Sequence, residues 1–137
     1  MREILFRGKR IDNGEWVEGH LCNIGILGTT HLAIVPYEVS MYYDRIEGYC
    51  IVDPATVGQY TGLTDKNGKM IFEGDIITSW KRRVFAVKFG QYLDDEELFS
   101  GNGWYVSGEH GTLSFDERWG GHEVIGNIHD NPELLED

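Results

Sequence analysis

Apolar and polar residues alternate along this chain in short runs, each closed by glycine, proline, asparagine or aspartate. Phe85, Val87 and Phe89 recur at every second position, the period of a half-buried strand. Ile4–Lys9 and Glu15–Leu21 are β-prone runs joined by Asp12-Asn13-Gly14, and the Asn-Gly pair is a hairpin signal because both residues tolerate positive φ. Leu32–Val35 is an aliphatic run stopped by Pro36, and Tyr49–Val52 reads as a strand closed by Asp53-Pro54. Pro54 suits the first position of a helical turn over Asp53–Thr56, after which Val57–Tyr60 extends again. Tyr37–Gly48 gives no single assignment: it fits one helical turn or an ordered loop.

The middle of the chain is the most legible. Asp65–Lys69 is a turn built on Asn67 and Gly68, and Glu73-Gly74-Asp75 is a second one built on Gly74 and Asp75. Ile76–Trp80 and Arg83–Phe89 are strands around Lys81-Arg82-Arg83. Two tight turns and short curled strands predict an SH3-like barrel here. Asp94–Glu97, four consecutive acids, reads as a solvated loop, and Trp104–Val106, Thr112–Phe115 and Glu123–Ile128 as strands. Asn131 is placed to cap a short C-terminal helix with Pro132 first, Glu133 in its first turn, and Leu134 and Leu135 for docking. The expected fold is mainly β: short twisted strands, an SH3-like barrel subdomain in the middle and a short C-terminal helix. It forms a single domain with an N-terminal β region over 1–56, a barrel-like region over 57–130 and a helical turn over 131–137.

Composition agrees with this pattern and narrows the function. A chain of 137 residues is one ordinary domain, 41% apolar, with 18 glycines and only 3 prolines to punctuate its strands. Its net charge of −11 argues against a protein that coats nucleic acid, which needs a basic face to displace counterions. The N-terminus MREILFRGKR lacks the apolar core of an export signal, and no run approaches the ~20 apolar residues of a membrane helix. The expectation is a cytoplasmic protein whose two cysteines, Cys22 and Cys50, stay reduced.

Three stretches, Arg2–Leu21 (REILFRGKRIDNGEWVEGHL), Val52–Ile77 (VDPATVGQYTGLTDKNGKMIFEGDII) and Val124–Glu136 (VIGNIHDNPELLE), resemble the YopX family of small phage and prophage proteins. The middle stretch is the most specific, because its glycines, Pro54 and the Glu73-Gly74-Asp75 turn recur together. The resemblance implies a phage or prophage origin, the host cytoplasm as location and a mostly β fold; it brings no enzymatic activity with it. Gln91–His122 follows no family pattern and is where a specialised site would reside.

The known catalytic spacings fail one by one. His122-Glu123-Val124-Ile125-Gly126 has glycine where a zinc-protease helix needs its second histidine. Asp65-Lys66-Asn67-Gly68 begins like a calcium loop, but its glycine comes too early and a lysine replaces a ligand. Gly68-Lys69 is followed by Met70, which removes the magnesium-binding hydroxyl of a phosphate loop. His20, His31, His110, His122 and His129 bring no metal ligands together by spacing alone, so neither a metal nor a cofactor is expected. Glu73 and Asp75 are read as turn residues before a catalytic acid pair. Cys22 and His20 share a strand face, and only a depressed thiol pKa would make them a nucleophile and its base.

The basic residues are concentrated. Eight of the twelve fall in two windows: Arg2, Arg7, Lys9 and Arg10, then Lys81, Arg82, Arg83 and Lys88. With Trp80 alongside, the second window is the candidate contact for a partner: Trp80, Lys81, Arg82, Arg83 and Lys88. The function expected is a non-catalytic module that binds a protein partner or a second copy of itself through strand edges and aromatic grooves, as its 17 aromatic residues allow. Nucleic-acid binding through the two basic windows is the alternative, and a small enzyme using Cys22 and His20 comes last.

Overall fold

The computed structural model describes residues 4–36, the backbone of 41–42 and 45–46, and residues 48–79, 83–96, 100–109, 111–116 and 121–135. The fold is mainly β, in two compact units, Met1–Tyr60 and Thr61–Asp137.

The first unit holds β1 (Phe6–Lys9), β2 (Trp16–Ile26), β3 (Thr29–Pro36), β4 (Met41–Tyr42), β5 (Arg45–Ile46), β6 (Cys50–Ile51), a 3-10 turn (Pro54–Thr56) and the start of β7 (Gly58–Thr64). Its sheet runs β6-β3-β2-β1-β7, every pair antiparallel. The end of β1 meets the end of β6: Arg10 bridges Val52, Ile11 N donates to Ile51 O at 3.0 Å, and Asp53 N donates to Lys9 O at 2.9 Å. The sheet thus curls over a core of Leu5, Ala33, Ile34, Val35 and Val52. The turn at Pro54 forms as the sequence predicts, with the Asp53 carboxylate accepting Ala55 N at 3.0 Å.

The hairpin expected at Asn13-Gly14 forms, β1 pairing with β2, but its turn differs from the one those residues suggest, and the next two connections had no assignment from the sequence. Only Gly14 takes positive φ in the first hairpin (72°), because Asn13 turns its side-chain oxygen onto Glu15 N at 2.9 Å. The result is a longer loop closed by Arg10 N to Glu15 O at 2.9 Å. β2 and β3 form one long hairpin turned by Leu27-Gly28, with Leu27 at φ 49° and wholly exposed. A leucine gives no turn signal, because left-handed backbone is costly for it. The unassigned stretch after Pro36 contains the paired strands β4 and β5.

The second unit continues β7 from Thr61 and adds β8 (Met70–Phe72), β9 (Asp75–Thr78), β10 (Val84–Leu93), β11 (Ser100–Gly108), β12 (Gly111–Ser114), β13 (Glu123–Asn127) and a 3-10 turn (Pro132–Leu135). Thr61 Oγ1 donates to Ile71 O at 2.8 Å and ties β7 to β8. The main sheet runs β12-β11-β10-β9-β13. Ile71, Ile77, Phe85, Val87, Val106 and Phe115 form the core, with Leu63, Trp104, Leu113 and Val124 packed around them. The SH3-like barrel expected here is not confirmed: among the described residues these strands form a five-stranded antiparallel sheet with β12 and β13 at its edges.

The C-terminal helix expected from Asn131 is a 3-10 turn, closed by Leu134 N to Asn131 O at 3.1 Å. Asn131 turns its side-chain oxygen back to Asn127 N at 3.2 Å, and four residues are too few to propagate an α-helix.

Candidate functional site

The edges of the second unit's sheet decide where a partner can dock. An edge strand points every second N–H outward, free to pair with a foreign strand unless something occupies it. On β12 the occupants are Asp94 and Asp95. Asp95 Oδ2 accepts Thr112 N at 2.7 Å, and Asp95 N donates to Thr112 O at 2.9 Å. Asp94 Oδ2 accepts both Ser114 N at 2.8 Å and the Ser114 hydroxyl at 3.1 Å, while its Oδ1 accepts Glu96 N at 3.0 Å. The acidic run is therefore no solvated loop where it begins: Asp94 is 2% exposed.

The β13 edge is held in the same way. Asp65 Oδ2 accepts Val124 N at 3.0 Å, while Asp65 Oδ1 accepts Asn67 N and Lys69 N, both at 2.9 Å. Burial pushes the Asp65 carboxyl up, but the backbone donors of Val124, Lys69 and Asn67, with His122 nearby, outweigh it and hold the pKa below the ordinary carboxyl value. Further along β13, Asn131 takes Asn127 N. Strand addition meets carboxylates or amides at both edges.

What remains open is the outer half of the β10–β11 hairpin. In its inner half Phe85 and Val87 are buried; one and three rungs further along the same face, Phe89 and Leu93 are each 57% exposed. Phe89 sits opposite Trp104 and meets it edge to face, ring centroids 4.9 Å apart. Gln91 lies opposite Asn102, and Leu93 opposite Ser100. On the reverse face Lys88 is exposed opposite Tyr105, whose ring stacks on Tyr92 at 5.1 Å. A shallow concavity of about 610 Å³ is lined by Gln91, Tyr92, Ser100, Gly101 and Asn102. Gly90 and Gly103 stand directly opposite each other at φ 144° and 151°. Both strands take a backbone conformation there that L side chains avoid, so this rung is reserved for glycine.

The residues singled out in the sequence lie as follows. Trp80, Lys81 and Arg82 fall outside the described residues, as does Arg2. Arg83 is half-buried just before β10, its backbone N–H donating to Ser79 Oγ at 3.3 Å, and Lys88 belongs to the outer hairpin. The N-terminal window is engaged internally: Arg7 lies 4.8 Å from the Trp16 ring centre, Lys9 lies 5.6 Å from it, and Arg10 grips Asp12 through two bonds of 2.9 and 2.7 Å. Gly68 and Gly74 have φ of 81° and 91°, and the buried Asp75 accepts Phe72 N at 2.8 Å. Asn67 and Asn13 sit in their turns with Asp65 and Glu15 as partners. His20 is exposed on β2, and burial pushes the thiol of the neighbouring Cys22 up. Among the described residues no three His, Cys, Asp or Glu side chains gather as a metal would need.

A model of the YopX protein family matches residues 5–136. The chain belongs to the YopX family. Its fold is similar to that of protein EF1440 from Enterococcus faecalis, a crystal structure 27% identical in sequence, with a TM-score of 0.51. The likeness covers 99% of this YopX-family chain and 100% of the other. No curated protein matches it. Among the described residues no helix is long and apolar enough to cross a membrane.

Sequence reasoning missed the site residues Phe89, Leu93, Tyr92, Trp104 and Tyr105 as a group. The available signal was the length of the alternation: it continues from Phe89 through Gln91 to Leu93, beyond what the core can cover.

Proposed function

We propose that this YopX-family chain is a non-catalytic binding module of phage or prophage origin, which acts in the host cytoplasm by docking a protein on the outer half of β10–β11. The observation that carries this reading is the pair of apolar side chains, Phe89 and Leu93, left in water on a sheet whose β12 and β13 edges are held by Asp94, Asp95 and Asp65. Exposed aromatic and aliphatic groups on an ordered scaffold are the usual anchors of protein interfaces. The raised thiol pKa of Cys22 supports a packing role for that cysteine over a nucleophilic one. The test compares immobilised wild type with a Phe89→Ser/Leu93→Ser variant in a bacterial lysate. A partner held by the wild type and absent from the variant is the expected result; equal capture by both removes the reading.

Nucleic-acid binding is the second reading, and the stacked Tyr92–Tyr105 pair beside Lys88 favours it. Against it, Arg7 and Lys9 lie against Trp16, and Arg10 is paired with Asp12. Titration of a labelled single-stranded oligonucleotide at low salt decides: an unchanged anisotropy ends this reading.

A further inference from the structure

We propose that Asn13 is a self-modifying site: in the folded protein it loses its side-chain amide to the neighbouring Gly14 nitrogen, ahead of every other asparagine in the chain. Three of the six asparagines, Asn13, Asn67 and Asn102, precede glycine, whereas the others precede isoleucine or proline. Glycine matters because its backbone nitrogen can approach the asparagine side chain with no Cβ in the way. The Gly14 nitrogen attacks Asn13 Cγ, the N–Cγ bond forms, the Cγ–Nδ2 bond breaks, and ammonia leaves with the Gly14 proton. Water then opens the resulting succinimide at either carbonyl, giving aspartate or its backbone-lengthened isomer. Water is the only co-reactant, and no electrons are exchanged.

The three Asn-Gly pairs differ in what must open before the ring can close. Gly103 lies in the β10–β11 ladder. Trp104 O accepts Phe115 N at 3.2 Å and so faces β12, which turns the Gly103 nitrogen toward its partner Gly90. Freeing that nitrogen means parting two strands. Asn67 is held from outside its turn. The buried Asp65 accepts Asn67 N at 2.9 Å through its carboxylate and Gly68 N at 3.0 Å through its carbonyl, and its other carboxylate oxygen reaches Val124 N at 3.0 Å. Asn67 Nδ2 also donates to Glu123 Oε2 at 3.3 Å. Asn13 has no such anchor. Residues 11–15 are all exposed, and the bonds of Asn13 and Gly14 run only to Arg10 and Glu15. Gly14 N donates to Arg10 O at 2.9 Å, Asn13 Oδ1 accepts Glu15 N at 2.9 Å, and Asn13 Nδ2 donates to Glu15 Oε2 at 3.4 Å. The β1–β2 ladder begins below them, at Lys9 and Trp16, so the loop can open while the strands stay paired. Conversion replaces a donor to Glu15 by a carboxylate beside Asp12, and the like charges loosen the loop. Asn102 keeps its amide, so the outer half of β10–β11 ages without gaining charge.

Peptide mass mapping of the full chain, kept folded in mildly alkaline buffer and sampled over weeks, tests this. Asn13 should convert faster than Asn67 and Asn102 by about tenfold or more, because its opening is the most local. In concentrated urea the three rates should converge to within about threefold, since every glycine nitrogen is then free. Asn13→Gln, whose longer side chain closes its ring far more slowly, should remove the first acidic species that isoelectric focusing of the ageing wild type shows. Asn67 or Asn102 converting as fast as Asn13 in the folded chain overturns the inference, as does a folded ranking that persists unchanged in urea. A folded chain whose Asn13 stays intact over a period that converts most of it in urea also overturns it.

Discussion

Phe89 and Asp94 lie five residues apart on one segment, and their burial inverts the usual order: the phenylalanine is more than half exposed and the aspartate almost wholly enclosed. The contrast separates two kinds of work in the second unit. Asp65, Asp75 and Asp94 serve the backbone, accepting N–H groups at turns and strand edges that would otherwise be buried unpaired or left to foreign strands. Phe89 and Leu93 contribute little to the core beyond the edge contact with Trp104, and their surface is available to a partner. Substitutions on the two sides should therefore differ in kind.

The largest effect belongs to the core that Phe89 merely extends. Phe85→Ala should cost about 3–5 kcal/mol in urea unfolding, because it empties the centre of the apolar cluster. Asp94→Ala removes the acceptor for Ser114 N, the Ser114 hydroxyl and Glu96 N, and should cost about 3 kcal/mol; Asp94→Asn, which keeps an acceptor oxygen, should recover part of that. If Asp94→Ala were neutral, the β12 edge would not be held by that carboxylate.

Asp65 is read best through pH. Its folded pKa lies below the ordinary value, so its contribution is fully present above the unfolded carboxyl pKa of about 3.9 and is lost as pH falls through the folded value. Stability of the wild type relative to Asp65→Asn should shrink across that acid range and stay flat from there to neutrality. A difference that instead grew toward low pH would reverse the sign assigned here. Smaller again is Gly103→Ala, which puts a side chain at φ 151° and should cost about 1–2 kcal/mol by thermal unfolding.

The parts of this molecule that were legible in the sequence are those governed by local rules. The strand alternation at Phe85–Phe89, the turn at Asp65–Lys69 and the proline-led turn at Pro54 need only neighbours in the chain, and each lies where its residues predict. Leu27 was opaque because its left-handed turn contradicts the preference of its own residue type. The acidic run was opaque because the partners of Asp94 and Asp95, Thr112 and Ser114, are seventeen to twenty residues away, and a strand edge is a property of the sheet. The candidate site was half legible. Lys88 stood out as a cation, but Phe89 read as one more residue of a half-buried strand face and Leu93 lay beyond the strand as read, since periodicity says which face residues share and not where the covering layer ends.

The smallest expected stability change carries the central claim, that Phe89 and Leu93 serve binding and not the core. Phe89→Ser/Leu93→Ser should unfold within about 1 kcal/mol of wild type, the order of the lost Trp104 contact. The same sample should no longer hold its partner. Paired urea unfolding and association measurements on this variant are the most direct test. Near-native stability with association lost is the result predicted; a destabilisation approaching that of Phe85→Ala, or native association with native stability, contradicts it.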